Sequence, residues 1–424
     1  MKPMTVTAFL KKPNQEYAYF MHLPRPTRVL LMTNMIYAFV LPIIEIFVGA
    51  YIMRSSNDPA IVALYQLTVY TGIPLTFYLN GLLLNRIKIT HLYSFGMLLS
   101  GLSMIVMMSL DSLSLAGVGV AGLLMGGSFG FFWANRDFLA LNTTTDSTRN
   151  YYYGLETFFY TITYIIVPVA VGAFIASTEA RHWFEGNINT AYRIVTVVVF
   201  ALTIISSIII HQGKFDNPKQ KKFLFFRFHE LWRKMLVLAG LKGMAQGYLV
   251  TAPAILIMRL VGNEGSLGMV QGVSGIATAF MLYILGRTTK PSDRIYIFAT
   301  GLFIFLIGTL FNGILYSAVG VMIFVLCKVL FAPLHDIAYF PTQMLVIDVV
   351  SKAEQRSEFA YIFNHEFGLY VGRFFGLVLF IVLATYVSEI FALKYALIII
   401  GILQLASIPV AKHIIAQANK LRGS

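Results

Sequence analysis

The sequence predicts an all-α integral membrane protein with twelve transmembrane helices in two pseudo-symmetric six-helix bundles, and its composition is the first reason. Of 424 residues, 58% are hydrophobic and 12% are charged, whereas a soluble domain has roughly 45–50% apolar and about 25% charged residues. Mean hydropathy is +0.74. The second reason is length, because about twelve spans of roughly 20 residues account for most of the apolar residues.

Charged and turn-forming residues divide the sequence into apolar segments, each long enough to cross a bilayer as a helix. The first segment follows the basic N-terminal residues, and the last precedes a basic C-terminus. Between them, Asn, Asp, Gly, Lys and Arg mark the turns. The predicted helices are 29–53, 59–84, 91–109, 113–141, 151–176, 190–211, 234–258, 266–286, 293–314, 317–346, 358–385 and 388–412.

A long basic stretch divides the chain into two halves of six helices each, as a duplicated six-helix unit requires. The aromatic residues Phe223, Phe225 and Trp232 among its bases favour an amphipathic segment at the inner membrane surface. The N-terminal residues lack the apolar core of a signal peptide, which indicates a retained tail. We therefore predict a cytoplasmic tail at 1–28, bundles at 29–211 and 234–412, a basic cytoplasmic linker at 212–233 and a cytoplasmic tail at 413–424.

The distribution of Lys and Arg predicts the orientation. An even number of helices places both termini on one side, and most basic residues fall in the segments of that side. The other side has only Arg54, Arg181, Arg193, Arg259 and Lys394. Because cytoplasmic loops carry the excess of Lys and Arg, we expect both termini in the cytoplasm and a multi-pass protein of the plasma membrane, the inner membrane in a bacterium.

Other classes of protein are excluded by what the sequence lacks. The net charge of +13 is distributed between apolar runs, so no clustered surface for nucleic acid is expected. Cys327 is the single cysteine, and no nucleophile elbow or Walker loop occurs. We therefore predict no enzyme and no cofactor. The expected partners are a small-molecule substrate, protons and the lipid bilayer, with a functional monomer.

The loop after the second helix contains Gly81, Asn85 and Arg86, followed by Lys88. This pattern resembles the signature of the major facilitator superfamily, which reads Gly, three variable residues, Asp, Arg, a variable residue, Gly and basic residues. Asn85 replaces the acid, and the second Gly is absent. In the fifth helix, Pro168 and Gly172 are similar to a Gly-Pro stretch of the antiporters of that family. The resemblance covers residues 29 to 412 and implies two bundles that rock about a midplane site.

Ionisable residues at bilayer depth indicate function, because each costs about 2.5–3.5 kcal/mol on insertion scales. Glu45 lies near the midplane, with no basic residue within two helical turns. We predict that it couples transport to protons, with Glu156 and Glu366 as second choices. The alternative is a hydrogen-bonded carboxyl that only packs against a neighbouring helix.

Two cations also fall near the midplane, Lys328 and Arg373. They predict a clamp for an anionic or zwitterionic substrate, with Trp133 stacking on the ligand. The alternative gives Arg373 no substrate role and pairs it with helix carbonyls, with Glu45 or with Asp336.

A further charged group lies in the cytoplasmic half and predicts a gate. The segments that contain Arg136 and Asp137, and His335 and Asp336, occupy matching places in the two halves. Opposite charges that meet in only one state bias an alternating-access equilibrium. We assign His365 to the same gate, with Glu156 and Glu366 beside it; static pairs are the alternative. No metal site is predicted, because adjacent helical residues point about 100° apart.

Together these features predict a secondary active transporter. It moves a small polar solute, anionic or zwitterionic, by alternating access coupled to protons. One alternative is a proton-driven efflux antiporter for amphipathic compounds such as drugs or siderophore-like chelators. Another is a lipid-handling or non-transporting membrane protein on the same scaffold.

Overall fold

A computed structural model describes residues 13–110, 112–144, 146–217, 225–289, 291–356 and 358–423. The part of the predicted N-terminal tail at 1–12 and the part of the predicted linker at 218–224, with Phe223, lie outside these ranges. The described helices are α1 Pro13–His22, α2 Arg25–Tyr37, α3 Val48–Ser56, α4 Pro59–Leu83, α5 Ile89–Met108, α6 Leu115–Thr143, α7 Asp146–Ala180, α8 Ile188–Ile210, α9 Glu230–Leu249, α10 Ala252–Leu260, α11 Glu264–Thr288, α12 Arg294–Leu315, α13 Ala318–Glu354, α14 Glu358–Tyr386, α15 Glu389–Gln404 and α16 Ser407–Gly423.

The predicted all-α membrane architecture is confirmed. Across the described ranges the regular structure is helical throughout, and 11 helical segments are long and apolar enough to cross a membrane. A twelfth crossing is the interrupted segment from Arg25 to Ser56, in which a π-turn at Ile43–Phe47 follows α2 and leads into α3. Consecutive spans run in opposite directions. We name the side on which α2 begins and α16 ends the terminal side, and the other the far side.

Three spans that the sequence predicts as continuous helices are interrupted, and a proline accounts for each interruption. Proline lacks a backbone N–H, and its ring crowds the carbonyl four residues earlier. Pro42 follows a break after Tyr37, in which the amides of Phe39 and Val40 donate to the carbonyls three residues earlier. The two other interruptions, between α9 and α10 and between α15 and α16, precede Pro253 and Pro409.

Helical structure extends into the segments that the sequence predicts as tails and linker. α1 and the start of α2 lie within 1–28, and α16 fills 413–423. α9 begins at Glu230, inside the predicted linker. Trp232 of that segment is fully buried, and its ring lies 5.0 Å from the ring of Tyr361 in an edge-on contact. Trp232 therefore belongs to the helical bundle and not to a membrane-surface segment.

The two halves of the chain each pack their own helices and meet mainly at three helix pairs. In the first half α6 packs between α4 and α5; in the second, α9 packs on α14 and α12 on α13. Across the halves α4 meets α14, α3 meets α10 and α7 meets α11. A Cβ on Gly172 of α7 would lie 3.1 Å from the Cα of Gly268 on α11. The two backbones therefore approach closely near the far side.

Candidate functional site

A central cavity of about 610 Å³ lies between the two halves. Residues from the π-turn and from α4, α6, α9, α13 and α14 line it, so both halves contribute. It contains several side chains that the sequence singles out, together with uncharged polar and aromatic ones. Its lining residues include Glu45, Tyr70, Phe77, Trp133, Asp137, Gln246, Phe340, Ile362, Glu366 and Arg373.

The central cavity continues toward the terminal side. A second space of about 750 Å³, the vestibule, shares Phe77, Asp137 and Ile362 with the central cavity. Its other lining residues include Lys352 and Arg356, which lie at the terminal-side end of α13 and just beyond it. The described conformation is therefore open on the terminal side.

An ion pair joins the halves on the far side. Arg54 of α3 donates from Nε to one oxygen of Glu264 at 2.6 Å and from Nη2 to the other at 2.8 Å. Tyr192 donates to the same carboxylate at 2.9 Å. The side chain of Glu264 is 0% exposed. We call this pair the far-side latch; sequence reasoning missed it, because an acid at a helix start gives no sign that a distant Arg buries it.

Glu45 lies in the π-turn and faces the central cavity. Its carboxylate accepts a hydrogen bond of 2.5 Å from the hydroxyl of Tyr164 on α7. Although neighbouring residues of the turn are buried, Glu45 itself is exposed. Isolated π-turns often mark functional sites. The structure therefore places the predicted proton-coupling carboxyl at the cavity wall, with an unpredicted tyrosine partner.

Arg373 also faces the central cavity, and uncharged groups hold its guanidinium. Nε and Nη2 donate to the Oε1 atom of Gln246 at 3.2 and 2.9 Å, and Nη1 lies 3.6 Å from Glu366. The ring of Tyr70 lies 4.7 Å from the guanidinium carbon. A Cβ on Gly247 would lie 2.7 Å from the Arg373 carbonyl oxygen, so the absence of a side chain there sets the position of α14 against α9.

Glu156 lies away from the cavity in a buried ion pair of the first half. Arg136 donates to both its oxygens, from Nε at 3.0 Å and through a second, shorter contact from Nη2. Asn34 donates to it at 2.6 Å and Tyr152 at 3.2 Å. Arg136 also contacts Asp137 at 2.7 Å. Glu156 therefore has a full set of partners.

Trp133, predicted to stack on a ligand, lines the central cavity. The guanidinium carbon of Arg136 lies 5.7 Å from its ring centre, and the ring of Tyr160 meets it edge-on at 6.3 Å. Its neighbours therefore hold the indole at the cavity wall.

The second half has its own ion pair at a comparable depth. Lys242 of α9 donates to Asp336 of α13 at 2.9 Å, and Nδ1 of His335 lies 3.0 Å from the same carboxylate. The Tyr339 hydroxyl and Nε2 of His365 are 2.6 Å apart. Arg136 and Asp336, predicted to meet across a gate, thus pair within their own halves in this terminal-side-open state. The described residues contain no group of three or more metal-ligating side chains.

The structure does not bring Lys328 and Arg373 together. Lys328 of α13 lines a separate space of about 340 Å³, which we call the side cavity. Tyr164 lines that space and donates to Glu45, which lines the central cavity, so this hydrogen bond joins the walls of the two cavities.

The predicted signature loop lies at the terminal-side end of α4. Gly81 is buried, whereas Asn85 and Arg86 are exposed. Asn217, just beyond α8, accepts from the amide of Ile89 at 2.8 Å and donates to two carbonyls of the loop, those of Leu84 and Ile87, at 3.0 and 2.9 Å. The loop is therefore held by an amide of the inter-half linker.

These features define a two-bundle helical membrane protein with a polar cavity between its halves, and solved structures of transporters share that architecture. The nucleoside transporter NupG matches with a TM-score of 0.65 at 11% identity, covering 93% of this chain and 99% of that one. A bacterial homologue of the iron transporter ferroportin, in an inward-facing state, matches with a TM-score of 0.64 at 13% identity, covering 93% and 98%. A bacterial homologue of the human lysosomal transporter Spinster, inward-facing and occupied, gives 0.60 at 14% identity, covering 97% of each chain. The fold is therefore the major facilitator fold, as the loop resemblance implies.

Two bacterial proteins are similar in sequence. The uncharacterized protein YqgE of Bacillus subtilis (strain 168) is 22% identical over 380 residues, which cover 88% of this chain and 86% of YqgE. An uncharacterized protein in the sodM 3′ region of Geobacillus stearothermophilus is 28% identical over 153 residues, which cover 36% of this chain and 72% of that protein. No family model matches the chain.

Proposed function

We propose that this protein is a secondary active transporter that carries a small polar organic solute, anionic or zwitterionic, through the central cavity by alternating access. The observation that carries the proposal is Arg373 at the wall of that cavity, with Glu45 and Glu366 also facing it. A cavity between two halves that is lined by a cation and two carboxylates suits a charged solute better than an apolar one.

Arg373 is the group that binds the anionic part of the solute. Gln246 and Tyr70 orient the guanidinium, and the carboxylate of Glu366 lies 3.6 Å from Nη1. An Arg that is not locked into a close bidentate pair can still offer its N–H groups to a carboxylate or phosphate. Glu366 then supplies a site for the amine of a zwitterion, and Trp133 supplies a stacking face.

Glu45 is the group that couples the cycle to protons. Tyr164 gives it one hydrogen bond, and no cation pairs with it among the described residues. Glu366 is the second choice. Glu156 suits the role less well, because Arg136, Asn34 and Tyr152 already satisfy its carboxylate.

The two halves, residues 29–211 and 234–412, are the bodies that rock. In the described state the far-side latch is closed and the vestibule is open. The excess of Lys and Arg makes the terminal side the cytoplasm. The proposed site of action is the plasma membrane, the inner membrane in a bacterium, and the protein acts as a monomer with the bilayer, protons and solute as its partners.

Electrogenic transport in proteoliposomes tests the proposal. Organic acids, amino acids and sugars are supplied as separate classes at two pH values. We expect currents for one anionic or zwitterionic class, a loss of about tenfold or more in substrate affinity for Arg373→Gln, and loss of the proton-driven component for Glu45→Gln.

The exposed Lys412→Gln is the matched control for loss of a positive charge. Radiotracer exchange accompanies the current measurement, because an electroneutral cycle gives no current. If Arg373→Gln and Glu45→Gln transport every substrate as the unmodified protein does, the proposed roles are wrong.

Efflux of amphipathic compounds is a second candidate, and the aromatic lining of the cavity favours it. Tyr70, Phe77, Phe129, Trp133 and Phe340 all face the central cavity. Aromatic walls accept varied apolar ligands. Competition separates the two functions, because mutual competition among many unrelated cationic dyes indicates efflux, whereas inhibition by one chemical class indicates specific transport.

A further inference from the structure

The side cavity has a composition unlike that of the central cavity. It lies between α7, α11 and α13, with a volume of about 340 Å³. Lys328 is the one charged side chain on its described lining. The polar residues Thr161, Gln271, Ser274 and Thr278 also line this space, and Ile46, Val325, Val329, Ala332 and Leu282 complete it with apolar surface.

Lys328 differs from the other cations at membrane depth in lacking a partner. Arg136, Lys242 and Arg373 each have a carboxylate within 4 Å. Among the described residues, the Lys328 ammonium has no hydrogen bond, ion pair or ring contact. Because a charge at this depth is costly, one without a protein partner indicates that something else supplies the counter-charge.

α7 and α11 flank the side cavity and both contribute lining residues. α7 and α11 are in close contact at Gly172 and Gly268, and a Cβ on Gly275 would still lie 3.5 Å from the carbonyl oxygen of Tyr164. Ser274, Thr278 and Leu282, one turn apart on α11, line the cavity. Leu282 is exposed, as are its neighbours Phe280 and Tyr283. An apolar outer face of this kind lies against lipid in a membrane protein.

We propose that the side cavity binds a single-chain amphiphile from the bilayer, with its anionic head on Lys328 and its apolar chain along the cleft between α7 and α11. A fatty-acid carboxylate has the required chemistry. The ammonium pairs with the carboxylate, and nearby hydroxyl and amide groups complete its hydrogen bonds. The site does not depend on the proposed transport function, because Arg373 and Lys328 line different cavities.

Equilibrium binding of radiolabelled dodecanoate tests this site. The full-length protein is embedded in phosphatidylcholine nanodiscs, and empty nanodiscs give the background of partitioning into lipid. We expect saturable binding that falls about tenfold or more in Lys328→Gln and is retained in Lys328→Arg. The exposed Lys412→Gln is the matched control, which removes a positive charge elsewhere and is expected to keep the binding.

Further variants and competitors test separately whether binding needs the open cleft, the charge of the ligand and its apolar chain. Ser274→Phe fills the cleft without changing charge and is expected to weaken binding, which covers the case in which Lys328→Gln does not fold. Methyl dodecanoate, which lacks the charge, and acetate, which lacks the chain, are both expected to compete poorly. Binding unchanged in both Lys328→Gln and Ser274→Phe overturns the site. Acetate competing as well as dodecanoate overturns the amphiphile and leaves a site for a soluble anion.

Discussion

The ion pairs on the two sides of the molecule differ in what they join. On the far side, Arg54 and Glu264 connect the first half to the second. On the terminal side, Arg136 pairs with Glu156 and Lys242 with Asp336, each within its own half. Opening the far side must therefore break a buried pair, whereas closing the terminal side breaks neither of the two pairs there.

This difference makes the far-side latch the element that holds the described state. Removing one partner of a buried ion pair costs about 3–5 kcal/mol in measured cases, because the other charge stays buried without compensation. Separating Arg54 from Glu264 incurs part of that cost unless water or new partners reach the carboxylate. The latch therefore biases the equilibrium toward the terminal-side-open state.

The largest effect is expected from Arg54→Gln, which breaks the latch. In a Cys327→Ala background, a cysteine at Ile362 reports access to the vestibule and central cavity. Without the latch the population moves toward the far-side-open state, and labelling of this cysteine by a polar maleimide is expected to slow about tenfold, which corresponds to about 1.4 kcal/mol.

The charge exchange Arg54→Glu with Glu264→Arg is the control, and it is expected to restore most of the labelling rate by rebuilding the pair in reverse. Labelling that stays unchanged in Arg54→Gln would show that other contacts keep the far side closed.

A smaller contrast is expected between the two terminal-side pairs, because their acids differ in exposure. The side chain of Glu156 is 1% exposed, whereas that of Asp336 is 41% exposed. Arg136→Gln is therefore expected to lower the free energy of unfolding by roughly 3–5 kcal/mol, and Lys242→Gln by about 1 kcal/mol. Thermal unfolding in one detergent compares the variants.

Adding Glu156→Gln to Arg136→Gln removes the uncompensated carboxylate and is expected to recover part of the stability. Equal losses in the two single variants would mean that exposure of the acid does not control the cost.

The smallest effect is expected from Tyr164→Phe, which removes the hydrogen bond to Glu45 at the boundary between the two cavities. A hydrogen bond contributes about 0.5–1.5 kcal/mol net, so the variant is expected to fold and transport while the pH dependence of its transport rate changes. Tyr160→Phe is the matched control, since the Tyr160 hydroxyl has no partner. Identical pH profiles for Tyr164→Phe and the unmodified protein would separate the tyrosine from proton coupling.

The fold could be predicted from the sequence because hydropathy and helix length determine where a chain crosses a bilayer. The interruptions before Pro42, Pro253 and Pro409 could not be located in the same way. The mean hydropathy of an apolar segment does not depend on whether a backbone hydrogen bond is missing. Hydropathy therefore cannot locate such a break. TM helices also tolerate proline, as Pro74 and Pro168 inside continuous helices illustrate.

The sequence predicts how deep in the bilayer the residues of the candidate site lie, but not which cavity each side chain faces. Counting residues along a helix placed Glu45, Lys328 and Arg373 near the midplane, but it could not indicate which cavity each faces, since that depends on helix rotation and packing. The hydrogen-bond partners of these residues are still harder to predict from the sequence. Gln246 and Tyr164 are uncharged, so a search for ionisable residues passes over them, and only the assembled structure identifies their contacts with Arg373 and Glu45.

The π-turn at Ile43–Phe47 acts as a rotational spacer within the first span. Such a turn holds one residue more than an α-helical turn, and one residue corresponds to about 100° of rotation. On one side of the turn, Thr27 bonds the carbonyl of Thr143 at 2.6 Å and Asn34 bonds Glu156 at 2.6 Å; on the other, Arg54 bonds Glu264. The extra residue therefore rotates the part of the span that contacts the first half relative to the part that contacts the second half. A single span thereby packs within its own bundle and also forms an ion pair with the other bundle.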